Sequence, residues 1–391
     1  MSGYGIASRN EQAVNGQAAS MTVRSVGVEE ELLLVQPGTG HPLAVAETVL
    51  RAAGSGGPVQ KGAHGDPGES VEFELQQQQL ETSTKPCFGL SDLGGELRRG
   101  RAVAAEAAGR ADAAVAALAT SPVHVEPQLV RKGRYLRMAD AFGLTAYELL
   151  TCGCHVHVGI ASPDEGVAVL DRIRPWLPVL LALSANSPFW QGRDSAYASF
   201  RYQAWGRWPS AGPTEAFGSA DAYRRTVTQM VSSGTLLDSG MVYFDARLSA
   251  HYPTVEIRVC DVCLHADDAT LIAGLARALV ETEARRWRAG SATPDHRIEM
   301  LRLAAWRASR SGLDDALLNP HTGVPEPAQA VANTLLAHVK DALDDAGDAG
   351  TVTELLGAVL ARGNGAAFQR DASRDGDPAS VIQRAAVITA G

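Results

Sequence analysis

A chain of 391 residues, 45% hydrophobic and 20% charged, carries enough apolar material for one large globular domain or two ordinary ones. Its 35 Lys and Arg against 44 Asp and Glu give a net charge of −9, and no Lys/Arg-rich block runs along it that could track a phosphate backbone, which argues against a nucleic-acid partner. The longest apolar stretch, Trp176 to Ala185, is broken by Pro178 and too short to span a bilayer, so no membrane role is expected.

Met1 to Ser20 is polar and rich in Gly, Ala and Ser, without the apolar core of a signal peptide; it reads as a disordered lead-in, and a cytoplasmic location is the default. Five cysteines, an odd number in a chain without export signals, argue for reduced thiols, and the Cys152-x-Cys154 and Cys260-x-x-Cys263 spacings match no zinc module.

Val26 to Val35, Val-Gly-Val-Glu-Glu-Glu-Leu-Leu-Leu-Val, reads as a strand. Alternation sends Val26, Val28 and Leu32 to one face and Glu29 and Glu31 to the other, about 7 Å apart. Two such carboxylates on a half-buried face repel unless a positive group lies between them, and a hard divalent cation is the economical solution; a solvated face of glutamates is the bland alternative. Residues 51 to 70 read as a loop whose Gly54-Ser55-Gly56-Gly57 lacks the features of a phosphate loop. Val71 to Leu75 alternates as a second strand, and strict period two sets Glu74 and Glu81 on opposite faces, so a bulge is expected if both reach one site.

Ser91 to Ala119 predicts one long helix capped by Ser91, and Arg131 to Arg137 is a basic patch, either anion-contacting or a solvated loop. In Cys154-His155-Val156-His157-Val158 both imidazoles share one strand face, a metal or phosphate constellation if they are not simply hydrogen-bonded. A helix over 164–186 should kink at Pro175 and Pro178; the Trp-, Tyr- and Arg-rich run that comes next, through Tyr197, Arg201, Trp205 and Trp208, should line a pocket. Thr254 to Val259 alternates again, with Glu256 and Arg258 on one face. Helices are expected over 221–233, 267–287 and from 294 to about 362, with a loose segment from 363 to 378. The whole reads as one α+β domain over 21–391, with helices able to cover the apolar face of its sheet and a helical part over about 291–391.

Glu/Glu, Glu, His/His and Glu/Arg sharing the opposite face of several strands form an inventory suited to phosphoryl transfer, which depends on positioning and charge neutralisation. The same motifs, Val-Gly-Val-Glu-Glu-Glu, Leu80-Glu81-Thr82, Cys-Gly-Cys-His-Val-His-Val-Gly, Ser-Ala-Asn-Ser-Pro-Phe-Trp-Gln-Gly and Glu-Ile-Arg-Val-Cys-Asp, resemble the carboxylate-amine ligase branch of the bacterial glutamate-cysteine ligases of type 2. The resemblance implies an antiparallel sheet curved into a basin with helices packed on its outer face, as in the glutamine synthetase catalytic fold. It implies Glu29, Glu31, Glu81, His155 and Glu256 as ligands of Mg²⁺, with Mn²⁺ an alternative, and Arg258 facing the transferred phosphoryl group. His157 is expected on the ATP side and Tyr197 and Arg201 on a substrate carboxylate, while Glu30 points away. The implied activity is ATP-dependent amide formation through an acyl phosphate, with the amino acids glutamate and cysteine as default substrates. A homodimer is an open option. The rivals are a metal-dependent hydrolase using the same His and carboxylate groups, and a relative repurposed for another acid and amine.

Overall fold

The computed structural model describes residues 23–52, 71–374 and 377–391; the expected lead-in over 1–20 and the Gly-rich segment at 54–57 lie outside them. The predicted first strand is present with its predicted bounds, β1 (Val26–Val35). It forms the middle of a seven-stranded antiparallel sheet with β2 (Val71–Phe73), β3 (Gln79–Ser83), β4 (Ala114–Ala116), β5 (Gly153–Gly159), β8 (Ala246–Leu248) and β9 (Thr254–Asp261). The order is β2-β3-β1-β5-β9-β8, with β4 pairing the second half of β1; β6 (Phe189–Trp190) and β7 (Arg193–Asp194) make a separate small hairpin.

The helices are α1 (Ala46–Ala52), α2 (Leu90–Gly109), α3 (Gly133–Phe142), α4 (Leu144–Glu148), α5 (Pro163–Ile173), α6 (Leu177–Ser184), α7 (Phe200–Trp205), α8 (Ala220–Ser232) and α9 (Ala266–Arg288). Beyond them lies a helical C-terminal part, α10 (Ile298–Ser311) and α11 (Ala328–His338) through to α15 (Pro378–Ala390), interrupted by the short pair β10 (Ala316–Leu318) and β11 (Pro325–Pro327).

One face of the sheet is sealed. Val26, Val28, Val156, Val158, Val255 and Ile257 are buried in one core with Leu90, Leu93 and Leu97 of α2, Val167 and Leu170 of α5, and Leu271 and Leu275 of α9. Glu30 also points to this face, and its carboxylate is met by Arg101 of α2, which donates from Nε at 2.9 Å and from Nη2 at 2.6 Å. The same guanidinium donates to the carbonyls of Cys263 and Leu264, so every arm of it is used. A buried ion pair thus bolts α2 to the centre of the sheet.

Three local expectations are corrected. The helix after residue 90 ends at Gly109 rather than near Ala119: Asp112 takes a positive φ of 53°, and residues 114–116 leave to pair with β1. Its N-cap is Gly89, with no side-chain cap from Ser91. The segment expected to be loose from 363 to 378 contains α14 (Gly365–Ser373), capped by Asn364 and anchored by the buried Gln369, which donates to the backbone and side-chain oxygens of Asn186. The helix over 164–186 kinks as expected, running as α5, a 3₁₀ turn at Arg174–Trp176 and then α6, with Pro175 and Pro178 at the breaks.

Candidate active site

The other face of the sheet is open, and strand register assembles its chemistry. Glu29 stands opposite His155, Glu31 opposite Glu81, and His157 opposite Glu256. On the outer side Glu256 is also opposite Arg247 of β8. Directly opposed residues in an antiparallel pair share a face, so these side chains converge. Together with Glu74 and Arg258 they line a single cavity of about 1170 Å³.

Two groups of ligand atoms lie within it, each with its members within 4.8 Å of one another: Glu29, His155 and Glu256, and Glu31, Glu74 and Glu81. No bulge between Glu74 and Glu81 is needed. They stand on opposite arms of a hairpin, Glu74 just beyond β2 and Glu81 on β3, so counting by twos through the turn does not apply. The bulge lies between β5 and β9, where Cys154 pairs with Cys260 but Val156 pairs with Ile257. One extra β9 residue beside Arg258 reverses the facing of the rest of that strand, so Cys260 joins the sealed face and Asp261 the other side.

The electrostatics favour an added cation. Burial, reinforced by the Arg258 charge, pushes His155 down to about 4, so the ring is neutral with a lone pair to offer. Neither ring nitrogen has a hydrogen-bond partner among the described residues; Glu29 Oε2 lies 3.5 Å from Nδ1 and Glu31 Oε1 lies 4.0 Å from Nε2. A buried polar ring left unsatisfied costs free energy that a bound ion would recover. Burial and the neighbouring Glu74 charge push Glu31 up to about 7, the response of crowded carboxylates. Burial acts to raise Glu29, but the charge of His157 holds it well below the usual range. His157 is raised: burial acts against it, the Glu29 carboxylate 3.4 Å from Nε2 outweighs burial, and Nδ1 is 3.0 Å from Thr254 Oγ1. Carboxylate oxygens with one imidazole are a donor set suited to Mg²⁺ or Mn²⁺.

Glu256 is held between two arginines. Arg247 donates from Nε at 2.7 Å and Nη2 at 3.1 Å, and Arg258 Nη1 pairs with Oε1. Burial alone would raise this carboxylate, but the Arg258 and Arg247 charges hold it far below the usual range. Arg258 is likewise raised, its burial outweighed by Glu256.

Tyr197 and Arg201 do not line the cavity. Tyr197 packs against Phe200 and Trp306, whose Nε1 donates to its hydroxyl at 3.3 Å. Arg201 is buried behind the cavity floor, 3.8 Å from Asp261 Oδ1 and donating to the Val259 carbonyl; it passes over Gly153, where any Cβ would strike the guanidinium. The expectation that both hold a substrate carboxylate gains no support from the cavity lining. The aromatic run does reach the cavity, through Trp205 and Trp208. Arg247 is the residue that sequence reasoning missed, because the three-residue strand β8 is too short to show alternation.

The model of glutamate-cysteine ligase family 2 matches residues 25–381. The chain belongs to glutamate-cysteine ligase family 2. This makes it an enzyme of the ATP-dependent ligase class, as its motifs imply. The "Putative glutamate–cysteine ligase 2-1" of Streptomyces avermitilis is 57% identical over 350 residues, covering 89% of this chain and 94% of that one. The "Putative glutamate–cysteine ligase 2" of Streptomyces coelicolor is 53% identical over 349 residues, with the same two coverages. Among solved structures, the glutamate–cysteine ligase of Francisella tularensis in complex with AMP aligns with a TM-score of 0.67 at 13% identity, over 95% of this chain and 89% of that one. A bifunctional glutathione synthetase from Pasteurella multocida aligns with a TM-score of 0.64 at 16% identity, over 94% of this chain and 52% of that one. These two likenesses bear out the expected fold of helices around an antiparallel sheet.

Proposed function

We propose that this family member joins a carboxylate to an amine at the expense of ATP, through an acyl phosphate, with glutamate and cysteine as the default pair. The convergence of Glu29, Glu31, Glu81, His155 and Glu256 on one cavity that also holds Arg258 carries the reading. At about 1170 Å³ the cavity exceeds the ~1,000 Å³ upper end of ordinary single-ligand sites, which suits a nucleotide and two further substrates.

A substrate carboxylate oxygen attacks the γ-phosphorus, the bond to the bridging oxygen breaks, and ADP leaves. The amine nitrogen then attacks the acyl carbon, the carbon–oxygen bond to phosphate breaks, and inorganic phosphate departs with the proton the nitrogen gives up. Arg258 supplies a fixed positive charge for the phosphoryl group, and Arg247 keeps the Glu256 carboxylate oriented. His157 lies toward the nucleotide. Glu29, His155 and Glu256, and Glu31, Glu74 and Glu81, would hold divalent cations, which offset phosphate charge when bound. Arg201, paired with Asp261, stiffens the floor instead of meeting substrate. The repurposed-relative reading differs only in the substrate pair; the hydrolase reading loses support from the family match.

The test is ADP and phosphate release from ATP and Mg²⁺ with glutamate and cysteine, products weighed by mass spectrometry. Release that requires both acid and amine, with an amide of matching mass, is expected. Hydrolysis of an amide without any need for nucleotide would refute the ligase reading.

A further inference from the structure

Three glycines lie within β1 and β5, and a glycine inside a strand weakens it unless something needs the missing side chain. Two are accounted for by neighbours. A Cβ at Gly153 would strike the Arg201 guanidinium, and one at Gly159 would lie 2.7 Å from Ser25 Oγ. Gly27 has no such reason. Its φ is not in the left-handed range, its pairing opposite His157 runs on without a bulge, and the nearest atom to a Cβ there is Thr84 Oγ1 at 3.6 Å, an ordinary contact. Alternation puts this bare position on the open face in line with Glu29 and Glu31, and Gly27 lines the cavity. The remaining reason for a glycine in a strand is the close approach of a ligand to the backbone.

Beside the bare stretch stands an aromatic ring. The turn over 249–253 joins β8 to β9, and its backbone is fixed: the amides of His251 and Tyr252 donate to Ser249 Oγ, each at 3.3 Å, and the Thr254 amide donates to the Tyr252 carbonyl at 2.8 Å. Tyr252 lines the cavity, with its ring centre 6.1 Å from that of His157 and the two planes at 89°. It is 40% exposed, whereas Tyr135, Trp208 and Tyr243 of the same lining are buried at 3%, 2% and 9%. His157 Nε2 lies in turn 3.4 Å from Glu29 Oε1. The lining therefore runs from the carboxylates through an imidazole to a phenol ring, the order in which a nucleotide presents its phosphates and then its base.

We infer that the nucleotide crosses β1 at Gly27 and stacks its base on Tyr252. The inference rests on the ligase reading above and fixes which way ATP lies, with the γ-phosphate inward and the adenosine toward the β8–β9 turn. The charged groups at this end are matched among themselves: Arg24 with Glu165 at 2.7 Å and with Glu281 at 2.6 Å, and Arg288 with Glu281 at 3.2 Å. An amino-acid substrate brings charges that such a surface leaves unanswered, while an uncharged base needs only a π face and bare backbone.

The experiment titrates wild type, Tyr252→Ala, Tyr252→Phe and Gly27→Ala calorimetrically with ADP and with inorganic tripolyphosphate, both in Mg²⁺. Tyr252→Ala should weaken ADP about 5- to 150-fold, the worth of one base–aromatic stack, and leave tripolyphosphate unchanged, since that probe has no base. Tyr252→Phe should keep the ADP affinity, because its ring stacks without the hydroxyl. Gly27→Ala should raise the unfolding temperature slightly, as replacing a strand glycine does, and yet weaken ADP at least about fivefold through a methyl group placed where the ligand runs. A merely structural role does not move stability and binding in opposite directions. ADP affinity unchanged in Tyr252→Ala, or equal losses for ADP and tripolyphosphate, overturns the stacking. ADP affinity unchanged in Gly27→Ala overturns the crossing, and either result leaves the ligase reading standing. Wild type that binds neither probe removes the ligase reading and this inference together.

Discussion

Glu30 and Glu256 are both buried glutamates in the same sheet, and both are gripped by arginine, yet they face opposite ways. Glu30 meets Arg101 on the sealed face, where the guanidinium also closes off two carbonyls and neither residue lines the cavity. Glu256 meets Arg247 and Arg258 on the open face, grouped with Glu29 and a neutral imidazole that has no hydrogen-bond partner among the described residues, in the cavity that also holds the Glu31, Glu74 and Glu81 carboxylates. The first pair is complete in itself; the second belongs to a surplus of charge that awaits ligands. Burial and pairing alone therefore do not mark a functional carboxylate. The two are distinguished by whether neighbouring polar atoms have been satisfied.

The sharpest break of this contrast is on the sealed face. Arg101→Ala leaves Glu30 as an unpaired buried charge and should cost about 3–5 kcal/mol of stability in denaturant titration, while the double replacement Glu30→Leu with Arg101→Met should recover most of it. Recovery failing, with α2 still packed, would mean that the pair does more than fasten the helix. On the open face Glu29→Gln should lower ATP turnover by about 10²–10³-fold, comparable to losing one preorganised charge-stabilising group, with the unfolding midpoint nearly unchanged. Glu256→Gln stands between the two, since it removes a site carboxylate and strands two buried guanidinium groups; it should fall in both rate and stability.

A pH titration refines the comparison at Asp245, which burial pushes up to about 7 against a hydrogen bond from Tyr202 and the Arg201 charge. Its folded value lies above the unfolded one of 3.8, so the ionised form is disfavoured by folding. Stability should thus decline as pH rises from about 4 through 7, and Asp245→Asn should flatten that slope; equal slopes in both proteins would exclude this origin. The smallest effect is expected at Ser162, whose Oγ caps α5 by accepting from the Glu165 amide at 3.1 Å. Ser162→Ala should cost about 1 kcal/mol with turnover unchanged, so a large drop in rate would show that α5 reaches the site energetically.

Much of the site was legible because alternation along a strand is local. Glu29 and Glu31 facing one way and Glu30 the other is dictated by ten consecutive residues, and so is the pairing of His155 with His157 and of Glu256 with Arg258 by their own strands. The shared motifs likewise named the family. Tertiary structure alone decided which strands lie side by side, and hence that Glu31, Glu74 and Glu81 meet across a hairpin and that Arg247 reaches Glu256. It also decided the β9 bulge, which turns Asp261 toward Arg201. The physical reason is range: side-chain direction within a strand is set by neighbouring dihedral angles, whereas strand partners and bulges depend on contacts between segments far apart in the chain.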